Sequence, residues 1–436
     1  MAGFLLDTNV LSEFTRQPTR SRKRPDKARR KHFMCIMYLI ANDSAATEEG
    51  CFASEVSAGI GRRFMAKFSD LGVDERFFDY PQESSRVKRK IVVDYFLSWS
   101  NVLARNREVG YADLFAGPGQ YKNGEKSIPL LITERVIHDQ RLRNCVRLWF
   151  NEGDPGYAEQ LSTNVLALSG IDSLRFAPAF TRRIVNKSLA NHRFSIPTLV
   201  FADPSGYKGL SLRLIAGALQ GFGNDCLFFF NYRRINMKLS YPVMNESIDE
   251  FFEADRAKAL RREIEALNPR AREEAVLKAI RAAIREGGGI PVVFAFRSRE
   301  GGGTSHHLVF ASKHRKGAAI MKRIMNDCSS EVIDGVGSWE FHPKDSNARS
   351  LPLFSPLDEL SDRLLEIFAG RTLTFKQLVD EEATETQLTD TAYRDAVLRL
   401  EAEFRIEVDP PAVERRMQAG STKRTVPENT KLTFPT

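Results

Sequence analysis

The stretch "YADLFAGPGQY" (Tyr111–Tyr121) joins an apolar run to a glycine turn. The run "VGYADLFA" predicts a strand, and residues compatible with a helix resume at Pro129. Gly117 and Gly119 permit backbone angles that other residues rarely adopt, and they let a ligand come close to the backbone. Open α/β sheets bind ligands outside the carboxyl ends of their strands. The turn is therefore either a cofactor loop or a tight strand–helix corner, and its spacing alone leaves both open.

Strand-like runs separated mostly by helix-like stretches continue this pattern. They are "VGYADLFA", "VRLWFNE", "SLRFAPAF", "TLVFADP", "CLFFFN", "PVVFAFR" and "HHLVFAS", and the helix-like "SSRVKRKIVVDYFLSWSNVLA" precedes them. Strands that alternate with helices predict βαβ crossovers and a mostly parallel sheet. We predict an α/β, Rossmann-like domain over residues 84–350. A helical insert at about 246–287 reads as two amphipathic helices divided at Asn268-Pro269.

The last part of the chain, residues 355–436, has a different pattern. Three helical segments with short turns come first, and the strand-like runs "RIEVD" and "TKLTFP" follow, which is the order of a winged helix–turn–helix. Its third helix carries Arg394 and Arg399, and Lys423 and Arg424 lie in the predicted wing. Such modules bind DNA or proteins. The near-balanced charge of the third helix leaves both ligands open.

Two acids at predicted strand ends point to a nucleoside cofactor. Glu152 ends "VRLWFNE", where an acid can accept hydrogen bonds from both ribose hydroxyls, although a helix cap or a solvent-exposed acid is the alternative. Asp113 ends the first strand, close to Phe115 in the turn, and can orient the same ligand. Pro118 removes an N–H that a pyrophosphate would need, and the spacing is not GxGxxG. The turn therefore suits S-adenosylmethionine better than a dinucleotide.

The run "LVFADPSGYKG" predicts the substrate side of such a site. Asp203 and Tyr207 follow a buried strand in an acid–Pro–aromatic order. Enzymes that methylate amino groups accept from the exocyclic nitrogen with such an acid and stack its ring on the aromatic side chain. The pattern is looser than acid–Pro–Pro–aromatic, so a structural turn remains the alternative.

The run "FFFNYRRINM" ends the next strand in polar residues. Asn231, Arg233 and Arg234 can bind a phosphate or a carboxylate, because guanidinium groups pair with both in a bidentate way. The two arginines can equally form salt bridges with the acids at the neighbouring strand ends. His306 and His307 lie in a predicted strand, and since no third ligand stands at zinc spacing we predict no metal there.

Composition sets the broad class. A chain of 436 residues predicts two or three domains. Its formal net charge of +8 favours, weakly, a polyanion such as DNA or RNA as a partner. Five scattered cysteines without a CxxC argue for free thiols in a reducing cytosol. Neither a secretory signal nor an apolar run of membrane-spanning length is evident, so we expect a cytoplasmic protein without a membrane partner.

Five stretches, in order, resemble one bacterial family, the three-Cys-motif partner proteins (TcmP). They are "SSRVKRKIVVDYFLSW", "YADLFAGPGQY", "FADPSGYKG", "FFNYRRINM" and "HHLVFASKHRKGAAIMKRIM". The resemblance implies a class I methyltransferase-like Rossmann core, a C-terminal winged helix and a radical-enzyme-like partner that carries the three-cysteine motif. Two features depart from it. Ser205 stands where an aromatic residue is usual in the family, and "SLRFAPAF" lacks the acid that many methyltransferases place near adenine.

The first 80 residues resemble something else. "FLLDTNVLSEF" is similar to the opening of a PIN-domain nuclease, whose first metal-binding acid would be Asp7, and "ASEVSAGIGRR" would supply Glu55 as the second. PIN catalysis needs three or four carboxylates around Mg²⁺, and the chain turns into the other family before supplying them. We interpret residues 1–80 as a PIN-like fragment or an irregular N-terminal extension.

Three functions follow as hypotheses. The leading one is an S-adenosylmethionine-dependent methyltransferase-like protein that acts on or near nucleic acid. The second is a non-catalytic partner or regulatory protein that uses the Rossmann core as a scaffold. The third is a remnant of a PIN-type ribonuclease.

Overall fold

The computed structural model describes residues 82–105, 107–182, 194–204, 209–233, 236, 245–298, 303–343, 355–382, 386–418 and 423–436. Four predicted site residues lie outside these ranges: Asp7, Glu55, Tyr207 and Arg234. The PIN-like interpretation of residues 1–80 falls outside them as well.

The helices and strands follow the predicted alternation. The helices are α1 (Glu83–Leu103), α2 (Ile128–His138), α3 (Gln140–Cys145), α4 (Pro155–Leu166), α5 (Leu212–Ala218), α6 (Asn245–Phe252), α7 (Ala254–Ile264), α8 (Pro269–Glu286), α9 (Arg315–Asp327), α10 (Pro356–Ile367), α11 (Phe375–Glu382) and α12 (Asp390–Ala402). The strands are β1 (Val109–Asp113), β2 (Val146–Asn151), β3 (Ala179–Thr181), β4 (Thr198–Ala202), β5 (Asp225–Phe230), β6 (Ile290–Arg297), β7 (Thr304–Ser312), β8 (Val332–Ile333), β9 (Val336–Gly337), β10 (Glu340–Phe341), β11 (Thr372–Thr374), β12 (Glu407–Asp409) and β13 (Lys431–Thr433).

The main sheet has eight strands in the order β10-β6-β7-β5-β4-β1-β2-β3. β7 runs antiparallel to β5 and β6, whereas the other described pairs in this sheet are parallel. The order β3-β2-β1-β4-β5-β7-β6 with β7 reversed is the arrangement of class I methyltransferase folds. The predicted fold class is therefore confirmed.

The central strands are apolar because helices cover both faces of the sheet. All five residues of β1 and of β4 are buried. One face of α1, which includes Ile91, Tyr95, Phe96 and Trp99, is buried in the same core. α1 packs against α2 and α9, so this first helix is an integral part of the Rossmann core.

Two predicted elements differ from what is observed. The run "SLRFAPAF" forms a strand only at its end, in β3, where three residues pair with β2. The insert contains three helices, α6, α7 and α8, because Glu253 adopts a left-handed backbone angle (φ 69°) and ends α6. The predicted break before Pro269 is present, and Asn268 caps α8 by accepting a hydrogen bond from the Ala271 N–H at 2.9 Å.

The C-terminal part contains α10, α11 and α12 and a three-stranded sheet in the order β11-β13-β12. These elements share a separate apolar core that includes Leu364, Tyr393 and Leu432. The predicted winged helix–turn–helix is confirmed, and β11 adds a strand that the sequence pattern did not indicate. None of the described helices combines the length and the apolar character needed to cross a membrane.

Candidate functional site

Three predicted acids meet at the carboxyl edge of the main sheet. Asp113 is the last residue of β1, Glu152 follows β2, and Asp203 follows β4. β1 lies between β2 and β4, and Asp113 is in register with Phe150 of β2 and Phe201 of β4. The charges of Asp203 and Glu152 both raise the pKa of Asp113, so the structure brings the three carboxyl groups into electrostatic contact.

Glu152 holds the glycine turn in place. Its Oε2 accepts a hydrogen bond from the Gly117 N–H at 2.8 Å, and its Oε1 accepts from the Asp154 N–H at 2.9 Å. Gly117 adopts a φ of 64°, a left-handed angle that a glycine reaches without strain. The end of β2 and the turn after β1 are thereby joined. Each carboxylate oxygen keeps a second lone pair for a ligand.

Gly119 is fixed by packing. Its φ is 85°, and a Cβ atom at this position would lie 2.6 Å from Leu130 Cδ1 and 3.2 Å from Leu161 Cδ1. Its carbonyl oxygen accepts from the Ser127 N–H at 2.9 Å, just before α2 begins. The second glycine therefore serves the tight corner, whereas the first faces Glu152.

Asp113 is a buried carboxyl group. Its Oδ1 accepts from the Phe115 N–H at 3.1 Å, and Tyr111 Oη is 3.4 Å from its Oδ2. Burial raises the pKa of Asp113 to about 8, with further contributions from Asp203 and Glu152, against the lowering effect of the Phe115 hydrogen bond. Asp113 is therefore mostly protonated at neutral pH and can donate as well as accept a hydrogen bond.

Asp203 pairs with a lysine that the motif analysis did not single out. The Lys88 ammonium group on α1 forms an ion pair with Asp203 Oδ2, and it lies 4.3 Å from the centre of the Phe229 ring. Lys88 is 5% exposed. A signal was present in the sequence: Lys88 stands three and four residues before Ile91 and Val92, so helical spacing puts a charge on the apolar face.

Two further α1 residues hold the hairpin that follows the glycine turn, which an antiparallel bridge between Gln120 and Lys126 closes. Arg86 and Arg89 donate to the two carboxylate oxygens of Glu125 at 2.6 and 2.7 Å, and Arg89 also donates to the Lys126 carbonyl at 2.6 Å. Hydrogen bonds from Arg86 and then Arg89 lower the pKa of Glu125 to about 2. One turn of α1 thus contacts both the hairpin and, through Lys88, the end of β4.

The residues after β5 extend the same edge. Asn231 directly follows β5 and is half-buried, and Arg233 is exposed. The predicted alternative, in which arginines of this run neutralise the strand-end acids, stays a prediction because Arg234 lies outside the described residues, whereas Lys88 of α1 does pair with Asp203. The phosphate-binding role of Asn231, Arg233 and Arg234 remains a prediction.

The two histidines lie in β7, as predicted. His306 stacks on Phe229 with ring centroids 4.7 Å apart. His307 is buried, its Nε2 lies 3.1 Å from Glu273 Oε1, and burial lowers its pKa. Among the described residues, no group of three metal-ligating side chains has a geometry that could hold a metal ion.

The basic residues of the winged helix make contacts within the protein. Arg399 pairs with Asp358 at 2.5 Å and with Glu403 at 3.1 Å, and Lys423 pairs with Asp395 at 2.9 Å. The other two contact neighbouring groups: the Arg394 guanidinium lies 5.1 Å from the centre of the Phe375 ring, and Arg424 donates to the Arg415 carbonyl at 2.9 Å. A groove of about 280 Å³ is lined by Leu357, Asp395, Leu398, Arg399, Lys423 and Arg424.

Comparison with known protein families agrees with the C-terminal fold. Residues 342–412 match a family model described as a GMT-like wHTH domain. This match covers all three helices of the winged domain, α10, α11 and α12, and ends after β12. No curated protein matches the chain.

Solved structures similar to this chain include several methyltransferases. A DUF519 protein from Legionella pneumophila is 12% identical, with 54% of this chain and 86% of that chain covered and a TM-score of 0.32. A predicted O-methyltransferase from Agrobacterium tumefaciens is 15% identical, with 51% and 79% covered and a TM-score of 0.27. A TehB-like SAM-dependent methyltransferase from Corynebacterium glutamicum is 8% identical, with 58% and 98% covered and a TM-score of 0.26. The strand order described above defines the fold independently of these scores.

Proposed function

We propose that this protein binds S-adenosylmethionine at the carboxyl edge of its main sheet and is a methyltransferase-like protein acting on or near nucleic acid. One observation carries the proposal: Glu152, which follows β2, accepts a hydrogen bond from the Gly117 N–H in the turn after β1, beside Asp113, within a sheet of methyltransferase strand order. The winged helix supports a DNA or RNA partner in general terms only.

The proposed roles follow the positions of the groups. Glu152 accepts from the ribose hydroxyls with its remaining lone pairs, and Gly117 allows the cofactor to approach the backbone. Asp113 donates or accepts from the buried side of the site, next to Phe115. When bound, S-adenosylmethionine supplies an electrophilic methyl group. Asp203 and Tyr207 would face the acceptor.

Phosphate groups of a nucleic-acid substrate are the proposed ligands of the run after β5. Asn231 is half-buried where β5 ends, and Arg233 is exposed two residues later. A guanidinium group in such a position can pair with a phosphate in a bidentate way. We assign Arg234 the same role from the sequence alone.

A titration of the full chain with S-adenosylmethionine in a calorimeter tests the proposal. We expect binding by the wild-type protein, and Glu152→Gln is expected to weaken it about tenfold or more, because a charged hydrogen-bond acceptor is lost. Glu159→Gln is the matched control, since Glu159 is an exposed glutamate on α4. The absence of binding by a folded wild-type protein would sink the proposal.

The second candidate is a non-catalytic partner protein of the TcmP type, with a radical-enzyme-like three-Cys-motif protein as its partner. Two observations favour it. Lys88 forms an ion pair with Asp203, the proposed acceptor-side acid. The contacts of Arg399 and Lys423 with acids reduce the positive charge that the winged helix offers to DNA. Transfer of a tritiated methyl group to DNA or RNA, lost in Asp203→Ala, would argue against this candidate. Two results together would support it: the protein binds the cofactor but transfers no methyl group to DNA or RNA, and cells that carry Asp203→Ala keep the phenotype of cells with the wild-type protein.

The third candidate, a PIN-type ribonuclease remnant, depends on residues 1–80 alone. It requires RNA cleavage that needs Mg²⁺ and that is abolished by Asp7→Asn. A full-length protein that leaves RNA intact in Mg²⁺ would eliminate it.

A further inference from the structure

Lys88 is a buried cation at the carboxyl edge of the main sheet, where the cofactor site is proposed. Its ammonium group contacts two things at once, the Asp203 carboxylate and the face of the Phe229 ring. The side chain of Asp203 remains 16% exposed, so it is less buried than that of Lys88. A buried ammonium group needs such partners, because an unpaired charge in a low-dielectric interior is strongly unfavourable.

A second acid, Asp113, adds to the negative charge that Lys88 can balance at this edge. Asp113 is close enough to Asp203 for the two to interact, and Asp113 is fully buried. Two neighbouring carboxyl groups resist joint ionisation unless a cation neutralises one of them. Lys88 contacts Asp203 by a direct ion pair, whereas Asp113 is bonded to the neutral Phe115 N–H and Tyr111 hydroxyl. The two acids are therefore in different charge environments.

We propose that Lys88 is a positioning residue of the acceptor side: its ammonium group holds the Asp203 carboxylate turned toward α1 and offsets its charge, and so controls how strongly that acid attracts an amino group of a ligand. This inference rests on the proposed S-adenosylmethionine site. In the wild-type protein the pair is neutral overall. Removal of Lys88 leaves a net negative charge facing the acceptor position, and removal of the Asp203 charge leaves a net positive one.

Two cofactor analogues report this charge without a known substrate. S-adenosylhomocysteine lacks the methyl group and has a neutral sulfur atom. Sinefungin has an amine-bearing carbon at the same position, so its ammonium group points to where the methyl acceptor would lie. Because the adenosine and amino-acid parts are shared, the ratio of the two dissociation constants isolates the effect of the amine.

The experiment measures both dissociation constants by calorimetry on the full chain at one pH and low salt. In Lys88→Met, we expect the preference for sinefungin over S-adenosylhomocysteine to rise about tenfold. In Asp203→Asn, it should fall about tenfold, because Lys88 then repels the amine. The double variant should return close to the wild-type ratio, and Lys88→Arg should keep it, since the charge is retained.

The control is Lys90→Met, two residues after Lys88 on the same helix, which removes an exposed lysine that pairs with Asp94. If Lys88→Met does not fold, Asp203→Asn still carries the test, because asparagine preserves the shape of the side chain. Folded variants whose ratios stay within twofold of wild type would overturn the inference, as would a Lys88→Arg protein that behaves like Lys88→Met. A wild-type protein that binds neither analogue would overturn the proposed function itself, and this inference with it.

Discussion

Asp113 links the candidate site to the pH dependence of folding. Burial raises its pKa from about 3.9 in an unfolded chain to about 8. An acid with a raised folded-state pKa contributes stability that is fully present below about pH 4 and is lost as the pH rises to about 8, because the unfolded state releases its proton first. The contribution of Asp113 to the free energy of unfolding is thus largest in acid.

The variant Asp113→Asn tests this. Over that window its stability relative to wild type should increase by up to about 1.4 kcal/mol per pH unit, since asparagine carries no proton to lose. Urea unfolding at pH 5, 7 and 8.5 measures the difference, with Asp327→Asn at an exposed position of α9 as the control. A difference that does not change with pH would show that Asp113 is ionised in the folded protein.

At the same scale, the strand-end acids could be predicted and their partners could not. Asp113, Glu152 and Asp203 each follow an apolar run, so their common edge was implied by the parallel sheet. Lys88 comes from a helix that precedes the sheet in sequence, and only folding brings it to Asp203. Arg89 meets Glu125 in the same way, across 36 residues.

Among the elements, the two glycines of the turn have different roles: Gly117 bonds to Glu152, and Gly119 packs against α2 and α4. Gly119→Ala should lower the free energy of unfolding by about 2 kcal/mol or more, because the φ of 85° is strained for alanine and the new Cβ atom would meet Leu130. Gly124→Ala is a matched control. Its φ is 83°, but the nearest atom to its Cβ is 3.9 Å away, so only the backbone strain of about 1 kcal/mol applies.

Thermal or urea unfolding of both variants separates the two effects. Equal losses in Gly119→Ala and Gly124→Ala would mean that the α2 and α4 side chains around Gly119 move aside freely, and that the corner is not tightly packed. A larger loss in Gly119→Ala supports the packing role. Neither substitution changes Gly117, so both variants should keep its hydrogen bond to Glu152.

Helices and strands were predictable where a long run of residues keeps one pattern. The predictions were wrong or missing where an element is short or where a helix breaks. Central strands such as β4 and β5 are continuous apolar runs, because both faces are covered. β3 and β11 have three residues each, too few to show a period. The break at Glu253 depends on a positive φ that a glutamate rarely adopts. The sequence therefore has no glycine or asparagine there that would predict the end of α6.

For the whole molecule, the winged helix and the Rossmann core are joined by specific contacts. Gln387, just before α12, accepts a hydrogen bond from the backbone N–H of Val293 in β6 at 2.7 Å. Val336 of the short β9 is buried in the apolar core of the winged helix. Arg315 of α9 forms an ion pair with Asp380 of α11. The two parts are therefore in direct contact through β6, β9 and α9.

Gln387→Ala is the prediction that tests this connection. It removes the acceptor of a backbone N–H on a buried strand, which should cost about 1–3 kcal/mol and speed amide exchange at Val293. Gln387→Glu keeps an acceptor oxygen and is the control. Hydrogen-exchange mass spectrometry should then detect faster exchange in β6 and α12 together in the alanine variant. Faster exchange in α12 alone would mean that β6 is stable without this contact, and that the hydrogen bond does not couple the stability of the two parts.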